Sequence, residues 1–485
     1  FYADLTLGYK DFLYLHGSGR YDNISILDPA NRSFFYPGVD ASLVFSNAIP
    51  ALKDASFLDY GKIRGGITKV SAVNLPNSQT GFGVYNSSGA YALSSTFSPG
   101  TGFPFGGLSS FTANNGLVQP GLRPETTVSF ETGLELSFFK RRLSLGATYY
   151  TQKSTDQTVT TTITQASGFG TLLINAGEVS NKGVELDLNI TPVRLENGLT
   201  VSIGGNFNYN NNEVISLPFG QIALTGSSAV AVTNNAGLYA IPGQSFPALL
   251  GTYYQRTTDG TNRVVMTRVP DALNPTVERY APVRAPDLKN FGNTQPKYKY
   301  GFNANISYKG LTLAGQGELR TGYVIYNTIG ENLDFTGSGI RSVQYGRQDF
   351  VYPNSAIPQT DAAGNTTYVA NIDKLTPGGS EFWANTAAWN TGVAENYVTS
   401  GTFFKIRELS LSYAIPAALT SKLGLIKGAS INIFGRNIFT WVPKENIYTD
   451  PEFSGTTAGS NAIGINSYLQ TPPTKFYGAT LNVSL

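Results

Sequence analysis

The chain has 485 residues, 53 Gly, 12% aromatic and 14% charged residues, a single His, no Cys and a formal net charge of +2. That charged fraction is far below the ~25% usual for soluble domains, and near-neutrality without a basic run argues against nucleic acid as a partner. The absence of Cys rules out a disulfide framework and, with His16 as the lone imidazole, the usual zinc sites and Ser–His pairs beyond that one residue.

Apolar and polar residues alternate at the strand period in about thirteen segments. They lie near 1–9, 12–22, 33–46, 60–73, 126–139, 142–160, 173–193, 198–213, 296–308, 311–325, 400–416, 427–441 and 474–485. The first begins at Phe1-Tyr2-Ala3, already inside an alternating run and without a start Met or a signal-like region. The expectation is therefore the later part of a longer polypeptide. In the fifth segment Phe130, Leu134, Leu136 and Phe138 share one side, and Ser129, Glu131, Gly133, Glu135 and Ser137 the other. Val184, Leu186, Leu188 and Ile190 repeat the pattern against Glu185, Asp187 and Asn189. No stretch approaches the ~18 consecutive apolar residues of a membrane helix. Apolar residues spread one in two suit an all-β fold, a transmembrane antiparallel β-barrel with lipid outside and polar groups inside.

The connections are of two kinds. Those at Lys10-Asp11, Lys140-Arg141, 194–198 and Lys309-Gly310 are tight and those at 47–59 and 416–427 moderate, whereas about 74–125, 214–295, 326–399 and 442–473 are long. This alternation is the asymmetry of outer-membrane barrels, with periplasmic turns and extracellular loops. Tyr149, Tyr150, Phe207, Tyr209, Tyr298, Tyr300, Tyr308, Phe439 and Trp441 fall near strand ends, as interfacial girdles do. A secreted β-sandwich or propeller is the soluble alternative, and strand length and loop asymmetry oppose it.

By parity, Glu131, Glu135, Glu185, Asp187, Lys299, Glu318, Arg320 and Arg436 face the lumen. They form either a polar translocation path or ion pairs and wet contacts to a plug. His16 shares a strand face with Phe12, Tyr14 and Ser18 and is expected as a polar residue of the wall. In the long loops, Tyr345, Phe350, Tyr352, Phe382, Trp383 and Trp389, with Phe103 and Phe105 in the first long loop, are the substrate candidates. Rings among Asn, Gln and Ser suit sugar faces or peptide side chains. The alternative is that they pack the loops against one another.

Seven stretches together resemble the SusC/RagA-type TonB-dependent transporters of the Bacteroidota outer membrane. They are Leu122-Arg-Pro-Glu-Thr-Thr127, Ile174-Asn-Ala-Gly-Glu-Val-Ser-Asn-Lys-Gly-Val-Glu-Leu186, Gly292-Asn-Thr-Gln-Pro-Lys-Tyr-Lys-Tyr-Gly-Phe302, Phe403-Phe-Lys-Ile-Arg-Glu-Leu-Ser-Leu-Ser-Tyr413, Gly435-Arg-Asn-Ile-Phe439, Tyr448-Thr-Asp-Pro-Glu452 and Pro472-Pro-Thr-Lys-Phe476. Their order matches the C-terminal barrel half of that family. The resemblance implies that residues 1–485 supply about thirteen strands of a barrel of about 22, with the plug domain and TonB box lying outside this sequence. It further implies import of oligosaccharides or peptides across the Gram-negative outer membrane, a SusD-like lipoprotein lid, energy from TonB, and no cofactor. The competing class is a non-importing barrel that scaffolds a surface or secretion complex; no residues are found to carry an enzyme.

Overall fold

The computed structural model describes residues 1–53, 55–73, 93, 97–100, 102, 104–113, 116–218, 220–224, 235–271, 274–384, 390–420, 426–452, 463–466 and 473–484. Thirteen strands form one antiparallel sheet in which each pairs with its neighbours in chain order. They are β1 Tyr2–Tyr9, β2 Leu13–Asn23, β3 Ser33–Leu43, β4 Leu58–Ala72, β5 Glu125–Phe138, β6 Leu143–Thr155 and β7 Glu178–Arg194. The series continues with β8 Thr200–Ser216, β9 Tyr298–Tyr308, β10 Leu311–Thr321, β11 Phe403–Ile415, β12 Gly428–Trp441 and β13 Phe476–Ser484. Each corresponds to one of the alternating segments. Among the described residues the sheet is open: β1 pairs only with β2, and β13 only with β12.

The turns explain the tight connections. Lys10 and Asp11, with φ of 48° and 56°, and Lys309 and Gly310, with φ of 46° and 86°, adopt the left-handed backbone of the hairpin turns that match strand twist. Where alternation overran a strand, local backbone ended it. Asp156, at φ 56°, closes β6, and Thr158–Thr162 pairs instead with Thr171–Asn175 in a small separate sheet. Likewise Gly322, at φ 80°, ends β10 and releases Val324–Asn327 into the loops.

Register fixes the two faces, because directly opposed residues in an antiparallel pair lie on the same side. Ile63, Leu134, Ala147, Leu186, Phe207, Tyr300, Leu319, Phe404 and Trp441 form one continuous cross-strand row from β4 to β12. On the same face, Leu134, Leu186, Leu188, Leu409, Leu411, Leu481 and Val483 are exposed and Leu136 is half-buried. So extensive an exposed apolar face is foreign to a soluble surface and suits the lipid side of a barrel. The opposite face carries the row His16, Asp40, Gly66, Glu131, Tyr150 and Gly183. Tyr150 thus departs from the girdle expectation: its hydroxyl, on the polar face, donates to Asn210 at 3.2 Å.

All the long connections leave from the strand ends opposite the tight turns, at 73–124, 217–297, 322–402 and 442–475. Three of them knit into a layer of their own. Val264–Pro270 from the second lies beside Ser355–Thr360 from the third, and Val324–Asn327 is flanked by Val398–Ser400 and by Ile465–Asn466 from the fourth. Leu238, Leu249, Tyr326, Phe382, Trp383, Tyr397 and Ile465 form the buried core of this layer.

Candidate functional site

The eight charged residues assigned by parity all fall on the polar face. Glu131 pairs with Arg64, and Glu135 lies 3.5 Å from both Lys62 and Arg64. Glu185 accepts from Asn208 at 2.9 Å, and Arg436 Nε donates to Glu408 at 2.7 Å. Asp187, between Gly146 and Asn206, and Lys299, between Asn208 and Arg320, are exposed on that face. His16 bridges two carboxylates, with Nε2 2.6 Å from Asp4 and Nδ1 2.6 Å from Asp40.

Glu318 and Arg320, near the loop end of β10, belong to a larger cluster whose other members parity did not identify. Lys405 Nζ, on β11, lies 2.6 Å from both Asp450 and Glu452 of the fourth long loop. Arg407 donates to Glu318 at 2.8 Å and to Glu452 at 2.7 Å, and Arg320 Nη2 lies 3.3 Å from Glu452. Three cations therefore meet three carboxylates around the fully buried ring of Phe403, whose centroid is 4.9 Å from Lys405, 5.5 Å from Arg320 and 5.7 Å from Arg407. Strict alternation back from Leu409 would aim Arg407 into lipid. A bulge prevents this: Gln316 faces Glu408 and Gly317 faces Ile406, leaving Arg407 as the extra residue. Across the next pair, Asn437, at φ 52°, and Ile438 are skipped. Bulges re-aim side chains in this way. The signal lay in the sequence: Phe404 and Ile406 are followed by Leu409 and Leu411, a spacing of three where the strand period is two.

The same loop segment is gripped a second time. Tyr448 packs against the Arg341 guanidinium, which also lies over the rings of Tyr397 and Trp383 at 4.7 and 5.0 Å. Arg341 Nη2 is 2.7 Å from the fully buried Asp334, and its Nη1 donates to the Asn396 carbonyl at 2.7 Å. Burial pushes the Asp334 carboxyl above its ordinary range, although Arg341 and the Tyr397 and Tyr448 hydroxyls oppose the shift. Burial, with Asp334 alongside, also raises the Tyr397 phenol far above its usual value, so it stays a neutral donor.

Burial would raise the Glu452 carboxyl too, but the hydrogen bonds from Arg407 and Lys405 outweigh it and hold the group at about 2. A lowered carboxylate pKa stabilises above the ordinary value of 4.5 and loses that contribution as pH falls toward about 2. The fourth long loop should therefore stay docked at neutral and mildly acidic pH and loosen below pH 4.5. Limited proteolysis within 442–475 checks this, and cleavage independent of pH from 7 to 3 would contradict it.

Five of the eight aromatic candidates, Tyr345, Phe350, Tyr352, Phe382 and Trp383, line one cavity of about 230 Å³ in the loop layer. Phe350, Phe382 and Trp383 are largely buried and join the loop core. Phe105 stands apart in the first long loop, 75% exposed, and Phe103 and Trp389 lie outside the described residues.

This two-faced sheet under a knitted loop layer has known relatives. The family model for the TonB dependent receptor-like β-barrel matches residues 1–318. The chain belongs to that family. TonB-dependent receptor P26 of Formosa agariphila is 24% identical over 96% of this chain and 43% of its own length, and receptor P3 of the same organism is 25% identical over 68% and 31%. Among solved structures, the RagAB peptide importer in its closed-closed state superposes with a TM-score of 0.71 at 18% identity, covering 99% of this chain and 47% of that one. Its open-open state gives 0.66 at 17%, over 100% and 46%. The chain thus spans less than half the length of these relatives. The β-barrel fold read from the sequence holds: the family model is that of a TonB dependent receptor-like β-barrel, and RagAB, the kind of protein that the sequence resembles, shares the fold over nearly the whole chain.

Proposed function

We propose that this chain supplies the wall and outward loop layer of a TonB-driven importer of oligosaccharides or peptides in the Gram-negative outer membrane. The plug and the remaining strands come from other parts of the transporter, and a SusD-like lipoprotein covers the loops. One observation carries this reading: all the long loops leave one rim of a two-faced sheet, and the fourth is tied by Asp450 and Glu452 to Lys405 and Arg407 on the polar face, where a solute would pass. The open edges at β1 and β13 agree with it, because lipid cannot satisfy free backbone groups and a spanning sheet must close. RagAB, a peptide importer of the same fold, favours peptides as the solute and leaves oligosaccharides beside them.

The test is uptake of labelled oligosaccharides and peptides by cells carrying the full-length transporter, with and without TonB. Uptake that requires both the transporter and TonB is expected. Normal assembly and partner co-purification without TonB-dependent uptake of either class would favour the scaffold role instead.

A further inference from the structure

The cavity in the loop layer is too small to enclose a whole solute. At about 230 Å³ it lies below the ~300–1,000 Å³ of pockets that surround a drug-sized ligand, so it takes one ring or side chain. Its mouth is formed by the exposed Gln344 and Tyr345, and its floor by the buried Phe350, Phe382 and Trp383. Tyr345 stacks on Phe350 at 4.4 Å with an interplanar angle of 17°, and Phe382 meets Phe350 edge-on at 5.6 Å. The Tyr345 ring is held there by an unusual backbone: Tyr345, Gly346 and Arg347 have φ of 54°, 64° and 60°. A bulky side chain in the left-handed region is uncommon and persists only where its surroundings fix it.

The side-chain donors of Arg341, Asn396 and Trp383 in the cavity are already committed, while Gln344 and the Tyr345 hydroxyl stand at its exposed mouth. Arg341 uses its Nε on the Tyr448 hydroxyl, Nη1 on the Asn396 carbonyl and Nη2 on Asp334. The Asn396 amide donates to the Tyr254 hydroxyl at 2.8 Å and to the Asn390 carbonyl at 2.9 Å, and the Trp383 indole donates to the Arg341 carbonyl at 3.4 Å. The Asp334 carboxylate also balances the Arg341 charge. A sugar entering here would give up water at its hydroxyls and find few donors to replace it, a penalty that an apolar ring avoids. What the walls offer is ring faces and edges, which favour stacked or edge-on contact with another ring.

Building on the importer reading, we infer that this cavity is a subsite for a single uncharged aromatic side chain of a peptide. It selects the solute by one ring, while the rest of the peptide lies outside the cavity.

The test is calorimetric titration of the purified full-length transporter with three probes: acetyl-Ala-Phe-Ala-amide, acetyl-Ala-Ala-Ala-amide and maltotriose. The phenylalanine peptide should bind about fivefold to tenfold tighter than the alanine peptide, the weight of one ring-on-ring contact. Tyr345→Gly, which removes the ring and suits the left-handed backbone, should abolish that preference, and Tyr345→Phe should keep it. Equal binding of the two peptides, or a preference that survives Tyr345→Gly, overturns the assignment. So does maltotriose binding that depends on Tyr345, which would make the cavity a sugar site. The importer reading fails separately: TonB-independent uptake refutes it and leaves the phenyl preference standing, whereas TonB-dependent uptake without that preference refutes only the subsite.

Discussion

Replacing Lys405 with methionine should free the fourth long loop from the barrel wall and destabilise its docking by about 3–5 kcal/mol, the usual consequence of removing one partner from a buried ion pair. The Lys405 side chain is 3% exposed and lies 2.6 Å from two carboxylates, of which Asp450 is 10% exposed. Without the ammonium, Glu452 still has Arg407, but Asp450 loses the cation it pairs with in a nearly dry site. Hydrogen exchange across 446–452 in the full-length transporter reads the effect directly. Protection there should fall by several orders of magnitude while β11 and β12 stay protected. Adding Asp450→Leu should restore part of it, because an apolar pair costs less than an orphaned charge. Unchanged protection in Lys405→Met would mean that the loop is held by its strand at Ile465–Asn466 and not by the charge cluster.

Most of the wall was legible because it follows a single rule. Where one side of a strand meets lipid and the other meets polar groups, period two is forced on every crossing, and the register of Leu134, Leu186 and Leu188 follows it. Departures come where tertiary contacts reset the phase. Arg407 is the clearest case: only the offset between Ile406 and Leu409 betrays the bulge that turns its guanidinium toward Glu318 and Glu452. Tyr150 was misplaced by its neighbour, since of two adjacent tyrosines in a strand only one can face outward.

The loop layer follows no such period, so its partners could not be paired in advance. Its rings were legible as a group, but the sequence could not separate the exposed Tyr345 from the buried Phe382 and Trp383. Nor could it bring Arg341 to Asp334, Tyr397 and Tyr448, contacts that join two different loops.

The central claim is that the leucine face of the sheet meets lipid and the charged face does not, and one pair of neighbouring substitutions tests it. Leu188 and Asp187 sit side by side in β7, exposed on opposite faces, with Leu145 and Gly146 as their partners in β6. In the full-length transporter folded into lipid vesicles, Leu188→Arg should lower the free energy of unfolding by ~2–4 kcal/mol, as arginine does near the bilayer midplane. Asp187→Arg, one residue away, should change it by less than about 1 kcal/mol. Equal effects, or a larger loss from Asp187→Arg, would contradict the assignment of the two faces and, with it, the path on which the importer reading depends.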